Sequence, residues 1–243
     1  MKKIILLIAV ILSFSGVVKA SHILGGEISW KCLSSGRYIF YMSVYRDCSG
    51  VPFTYQNETL NISGSPLPTN GVNSIIVRPD LNRFTNSGNG DTTPECTPQY
   101  GPKYTCAGGD NGTVQAFYYI SDPVRLAGVP PGAGWRITWT SPPARPTDLE
   151  NLNTSPFPVW LLLLRAIMYS GPNGLPADPC FDSSPQFKAL PATLICRGYE
   201  FTYNHTAIDP ELDSLVYSFG RTYSPPANNP LAVSFKPGYN QNS

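Results

Sequence analysis

Histidine and charge are what this sequence has least of. Its 243 residues include two His, His22 and His205, and only 14% are charged, against about 25% in ordinary soluble domains. So little histidine removes the commonest general base. His22 lies near the expected mature terminus, and His205 sits in the polar stretch YNHTAIDP, where a surface role is the simpler account. The six cysteines show no C-x-x-C spacing, which argues against a zinc site. G-x-S-x-G, P-loop, H-E-x-x-H and dinucleotide-binding glycine patterns are all missing. No basic stripe offers a footprint for nucleic acid. No internal apolar run approaches the roughly 20 residues that a membrane-spanning helix needs. Carboxylate pairs of the kind used on glycosides are set in space, so their presence is not decided by sequence.

Turn formers and aromatics are plentiful. The 25 Pro, 21 Gly and 14 Tyr argue against long helices and for many short strands joined by turns. Hydrophobic residues reach 42%, enough for a core. The length allows two domains or one large all-β domain.

Residues 1–20 carry Lys2 and Lys3, an apolar run from Ile4, and Val18-Lys19-Ala20 at the end. This is the pattern of a signal peptide cleaved after Ala20. The alternative, an uncleaved anchor, has too short an apolar run. Cleavage takes three of the 17 basic residues and leaves 14 against 16 acidic, a net of −2. The chain is therefore expected to be exported, to the cell surface or beyond.

An even number of cysteines in an exported chain reads as disulfides. Gly26–Leu33 and Arg37–Asp47 read as a hairpin around Ser34-Ser35-Gly36. That places Cys32 at the turn and Cys48 at the far end, roughly 35 Å apart at about 3.3 Å per residue, whereas a bridge needs Cα atoms within about 7 Å. Cys96 and Cys106 flank one proline-containing loop and Cys180 and Cys196 another, so each pair is a candidate bridge. Cys32 and Cys48 are left to each other through a bent strand, to a reshuffled partner, or as thiols.

Further strands are expected at Ser74–Arg78, at Thr113–Ile120, and at Trp135–Thr140, where WRITWT alternates strictly. Val159–Tyr169, the most apolar internal run, is expected as a central strand buried on both faces. Ser170–Asp182 is rich in Gly and Pro and suggests a boundary. Beyond it, Gln186–Ala189, Thr193–Cys196, Tyr199–Tyr203 and Leu215–Phe219 read as short strands at the spacing of a sandwich. The expected architecture is all-β: two immunoglobulin-like β-sandwich domains, 21–170 and 183–243, with 171–182 as linker. The second domain reads as incomplete, part of a longer protein. Asn57, Asn61, Asn111 and Asn204 head formal glycosylation sequons.

Asp209, Glu211 and Asp213 alternate just before an apolar stretch. On an extended backbone they share one face, and a hard cation such as calcium would relieve their repulsion. A solvated acidic turn, screened by water and salt, is the plainer alternative. No cofactor is otherwise indicated. Trp30, Trp135, Trp139 and Trp160 offer a sugar-stacking platform or, in the plainer account, core.

SHILGGEISWKC followed by YIFYMSVYRDCSG is similar to the mature amino terminus of very large Bacteroidetes surface proteins. These are described as gliding-motility-associated, adhesin-like or exported by the type IX system. The similarity continues in AGWRI, SSPQF, ICRG, DPELDSLVYSF and PGYNQNS. DPELDSLVYS also resembles a motif of cadherin-like and immunoglobulin-like modules. Glu211 and Leu212 depart from its usual D-P-D-G-D form, which weakens the calcium case. The resemblance implies a non-enzymatic surface module with a structural or adhesive role and an unknown protein, glycan or surface partner. The alternative is a carbohydrate-binding module or a secreted glycan-active enzyme.

Overall fold

A computed structural model describes residues 23–50, 52–86, 106, 113–141, 151–153, 161–188, 200, 202, 204–221, 223–224 and 231–240. The chain is all-β, as expected. Seven strands form one antiparallel sheet: β1 (Ile23–Cys32), β2 (Tyr38–Asp47), β3 (Glu58–Ser63), β4 (Ser74–Pro79), β5 (Val114–Ser121), β6 (Trp135–Thr140) and β7 (Leu163–Met168). Their hydrogen-bonded order is β1-β2-β5-β4-β3-β6-β7. The sheet curls until its end strands lie side by side, with Leu164 of β7 against Gly26 of β1. It thereby encloses its core almost as a barrel does.

Period-two alternation decides what goes inside. On β2, Tyr38, Phe40, Met42 and Val44 are buried in the core, and on β6 Trp135, Ile137 and Trp139 are. Both ends of the sheet feed the same cluster, since Trp30 of β1 and Leu164 and Met168 of β7 belong to it. The segment before β3 closes one end with rings. Phe53 packs edge-on against Phe117 and Trp139, and Tyr55 packs against Phe117 and Tyr119. A smaller cluster, Tyr45, Val114, Ala116 and Tyr118, covers part of the outer face. A short helix α1 (Leu81–Asn86) brings the Arg83 guanidinium 3.9 Å from the centre of the Tyr118 ring.

The hairpin forms as the sequence suggests. Cys32 pairs with Tyr38 across the turn, and Gly36 takes φ 75°, where a side chain is disfavoured. The expected strands at Ser74–Arg78, Thr113–Ile120 and Trp135–Thr140 appear as β4, β5 and β6.

Other expectations need correction. The run from Val159 yields β7, which ends the order rather than sitting in its middle, and Arg165 is exposed. A curled sheet lets an end strand bury one face against its opposite end, so an apolar run need not mark a central strand. Leu215–Phe219 forms no strand, and Val216 is 92% exposed, because no strand among the described residues pairs with it. Among the described residues after Ser184 the strands are two residues long: β8 (Gln186–Phe187) with β9 (Ala207–Ile208), and β10 (Tyr223–Ser224) with β11 (Leu231–Ala232). The expected strands Thr193–Cys196 and Tyr199–Tyr203 fall outside the described residues, apart from Glu200 and Thr202.

The cysteines pair at long range. Cys32 is bonded to Cys180 and Cys48 to Cys106, with Cα atoms 5.6 and 5.0 Å apart. The expected loop-closing pairs Cys180–Cys196 and Cys96–Cys106 are thereby replaced, and Cys96 and Cys196 lie outside the described residues. Nearness along the chain misled here. The β2–β5 pairing puts Asp47 opposite Val114, so Cys48 leaves the sheet where the chain enters it again. The separation of Cys32 from Cys48 is as the hairpin geometry requires.

Two measurements test this topology. Non-reducing peptide mapping recovers Cys32 with Cys180 and Cys48 with Cys106, and a Cys180–Cys196 peptide would contradict the fold. A Cβ at Gly26 meets the Ser43 carbonyl oxygen and comes 2.7 Å from Leu164 Cδ1. Gly26→Ala therefore destabilises by about 1–3 kcal/mol in denaturant unfolding, and an unchanged midpoint would show that β1 and β7 do not meet there.

Candidate metal centre

The segment expected as a linker is fastened to the sheet. Cys180 is bonded to Cys32, and its N–H donates to Gly36 O at 3.1 Å. Ala177 N–H donates to Gly128 O at 2.9 Å. Ser183 and Ser184 then run along the free edge of β1. Ser184 N–H donates to Trp30 O at 3.0 Å, and its Oγ accepts from Trp30 N–H at 2.8 Å. Ser183 Oγ accepts from Cys32 N–H at 3.0 Å. Two hydroxyls thus satisfy backbone groups that an end strand otherwise leaves to water.

Ser183 also reaches the acidic motif. Its Oγ donates to Glu211 Oε1 at 2.9 Å and its N–H to Oε2 at 3.2 Å. Asp209 is buried, and its Oδ1 accepts from the N–H groups of Glu211 and Asp213 at 3.0 and 3.1 Å. The motif is therefore a turn, with Leu212 at φ 67°. That is the left-handed region where glycine is favoured.

The turn changes which carboxylates meet. Oxygens of Asp182, Asp209 and Glu211 lie within 4.8 Å of one another. Asp213 lends its backbone N–H to Asp209, and its charge still bears on Asp182. The alternation of an extended strand, which grouped Asp209, Glu211 and Asp213, does not hold across this turn. Asp182 was not foreseen. It lies in a loop remote in sequence, and nothing local marks it.

Asp182 is held well above an ordinary aspartate value of 3.8, at about 6. Burial is the first cause, followed by the charges of Glu211, Asp209 and Asp213. A hard divalent cation fits this donor set by charge and oxygen chemistry. The three carboxylates alone do not supply the six to eight oxygens that calcium takes.

The three described tryptophans form no platform. Trp30, Trp135 and Trp139 are buried. Trp135 Nε1–H donates to Pro66 O and Trp139 Nε1–H to Glu58 Oε2, both at 2.9 Å. Trp160 and His22 lie outside the described residues. His205 is exposed, as are the sequon asparagines Asn57, Asn61 and Asn204, while Asn111 lies outside the described residues. No helix among the described residues is long and apolar enough to cross a membrane. Comparison with protein-family models, curated proteins and solved structures finds no match for this chain.

The Asp182 site has a pH signature. Its folded-state carboxyl titrates near 6, above the unfolded value near 3.8. The stability it contributes is complete below about pH 4 and is lost as pH rises through about 6. Without divalent cations, the melting temperature of the native chain falls relative to that of Asp182→Asn across this window. Parallel curves would show that Asp182 is not crowded by the other acids.

Proposed function

We propose that the chain is a non-enzymatic, exported surface module with a structural or adhesive role, part of a larger multidomain protein. The observation that carries this is covalent: two long-range disulfides hold a curled β-sheet together. Such bonds persist in oxidising compartments outside the cytosol and typically stabilise by about 2–4 kcal/mol each. The charge, apolar run and small-residue pattern of residues 1–20 supports export. The resemblance of SHILGGEISWKC and its continuation to type IX-exported, gliding-motility-associated adhesin-like proteins supports the surface assignment and the larger protein.

A carbohydrate-binding module or glycan-active enzyme is the competing account. It is disfavoured because three of the four indoles on which a sugar would stack are committed to the core. Within our reading, calcium bound by Asp182, Asp209 and Glu211 would neutralise the acidic turn and tighten its hold on Ser183.

On a glycan array the protein gives no signal that depends on Trp160. Binding abolished by Trp160→Ala would establish the carbohydrate account instead. For the metal, millimolar calcium raises the melting temperature over that in chelator, and Glu211→Gln with Asp209→Asn removes the rise. Equal melting temperatures with and without chelator would dismiss calcium.

A further inference from the structure

Residues 213–221 have the pattern of a strand and no partner. Residues 214–220 (SLVYSFG) carry no charge, with Asp213 before them and Arg221 after them. On an extended backbone, side chains alternate between two faces. Leu215, Tyr217 and Phe219 then share one face with Asp213 and Arg221 at its two ends, and Ser214, Val216, Ser218 and Gly220 form the other. The segment runs without a turn or bend, and none of its residues takes a positive φ.

The segment is open to solvent. Val216 is 92% exposed, Phe219 74% and Tyr217 54%, while Leu215 is half-buried. A Cβ on Gly220 would meet nothing within 4 Å. The Tyr217 hydroxyl accepts from Ala207 N–H at 2.9 Å, which holds the segment beside β9. The backbone N–H and C=O groups of residues 214–220 bond to nothing among the described residues. An extended apolar segment with an unpaired backbone is a template on which another strand adds.

Charge indicates which strand that is. Two copies laid antiparallel and centred on Tyr217 put Asp213 of each opposite Arg221 of the other. Leu215 then stands opposite Phe219, Val216 opposite Ser218, and Tyr217 opposite its own counterpart. Neither Asp213 nor Arg221 has an oppositely charged partner among the described residues. In this register both gain one, twice over by the two-fold symmetry. A parallel pairing would instead set each charge beside its own kind, which is destabilising.

We propose that residues 213–221 are a dimerisation strand, which pairs edge to edge with the same segment of a second copy, antiparallel about Tyr217, with Asp213 and Arg221 as reciprocal ion pairs. The pairing supplies the open backbone with a ladder and gives Leu215, Tyr217 and Phe219 cross-strand neighbours. The contact is small, so the dimer is weak and forms reversibly with concentration. It holds whatever the module binds elsewhere.

The test is sedimentation of the full chain from micromolar to millimolar concentration, in chelator so that metal at the acidic turn does not enter. A reversible monomer–dimer equilibrium is expected. Phe219→Lys, at an exposed position, abolishes the dimer and leaves the melting temperature unchanged. Asp213→Arg and Arg221→Asp each weaken dimerisation about tenfold, because each sets like charges opposite at two places. An equimolar mixture of those two variants restores it, since both ion pairs form again in the mixed dimer. Amide exchange of residues 214–220 slows as the dimer fills. A chain that stays monomeric overturns the proposal, and slow exchange in that monomer would mean that the same chain covers the segment. A dimer indifferent to Phe219→Lys, or charge reversals that mixing does not rescue, overturns it as well.

Discussion

The Cys32–Cys180 bond is the constraint on which the rest of this structure depends. Its two ends are 148 residues apart in sequence. Closing so long a loop is entropically costly in the unfolded chain. Once formed, the bond draws the Cys180–Ser184 stretch along the edge of β1. That in turn puts Ser183 where it bonds both Cys32 N–H and Glu211, and puts Asp182 beside Asp209. The acidic group therefore comes with the covalent framework, since its members lie on two segments that the disulfide and Ser183 hold to one edge of the sheet.

The same bond addresses the weakness of an open sheet. A curled sheet whose end strands lie together without pairing keeps two rows of unbonded backbone groups. On β1, part of that row is covered by the hydroxyls and backbone of Ser183 and Ser184. On β7, Arg165 projects from the strand and stacks with Tyr223. A charged side chain on an end strand discourages pairing with another chain, so residues of one strand serve both to bury Leu164 inward and to keep the outside soluble.

Much of the sheet was legible because alternation is a local property. WRITWT became β6 over its whole length, and the first hairpin followed from two apolar runs about a Ser-Ser-Gly turn. What failed depends on distant neighbours. Leu215–Phe219 has apolar residues like a strand, but a strand exists only where another backbone accepts its hydrogen bonds. The apolar content of β7 says that it is buried, not whether it lies in the middle or at the end of a sheet that curls. Cysteine partners follow from which strand ends meet, and the crossing from β2 to β5 is invisible in spacing. Of the candidate site, Asp209 and Glu211 were readable as a local acidic motif. Asp182 was not, because long-range contacts, the disulfide and the bonds of Ser183 and Ser184, bring it there.

Charge is also distributed in a way that stability does not explain. Aspartates neutralise Arg78 and Arg125 where the chain needs it. Yet Asp182, Asp209, Glu211 and Asp213 are crowded together, at a cost recorded in the raised Asp182 carboxyl. In a chain with so few charged residues, redistributing these acids and bases into pairs would lower the electrostatic energy of the fold. Acids gathered in one place instead make a locus that favours a cation. Beyond the bonds that Asp209 and Glu211 accept within the turn and from Ser183, the physical consequence of this crowding is attraction for a cation.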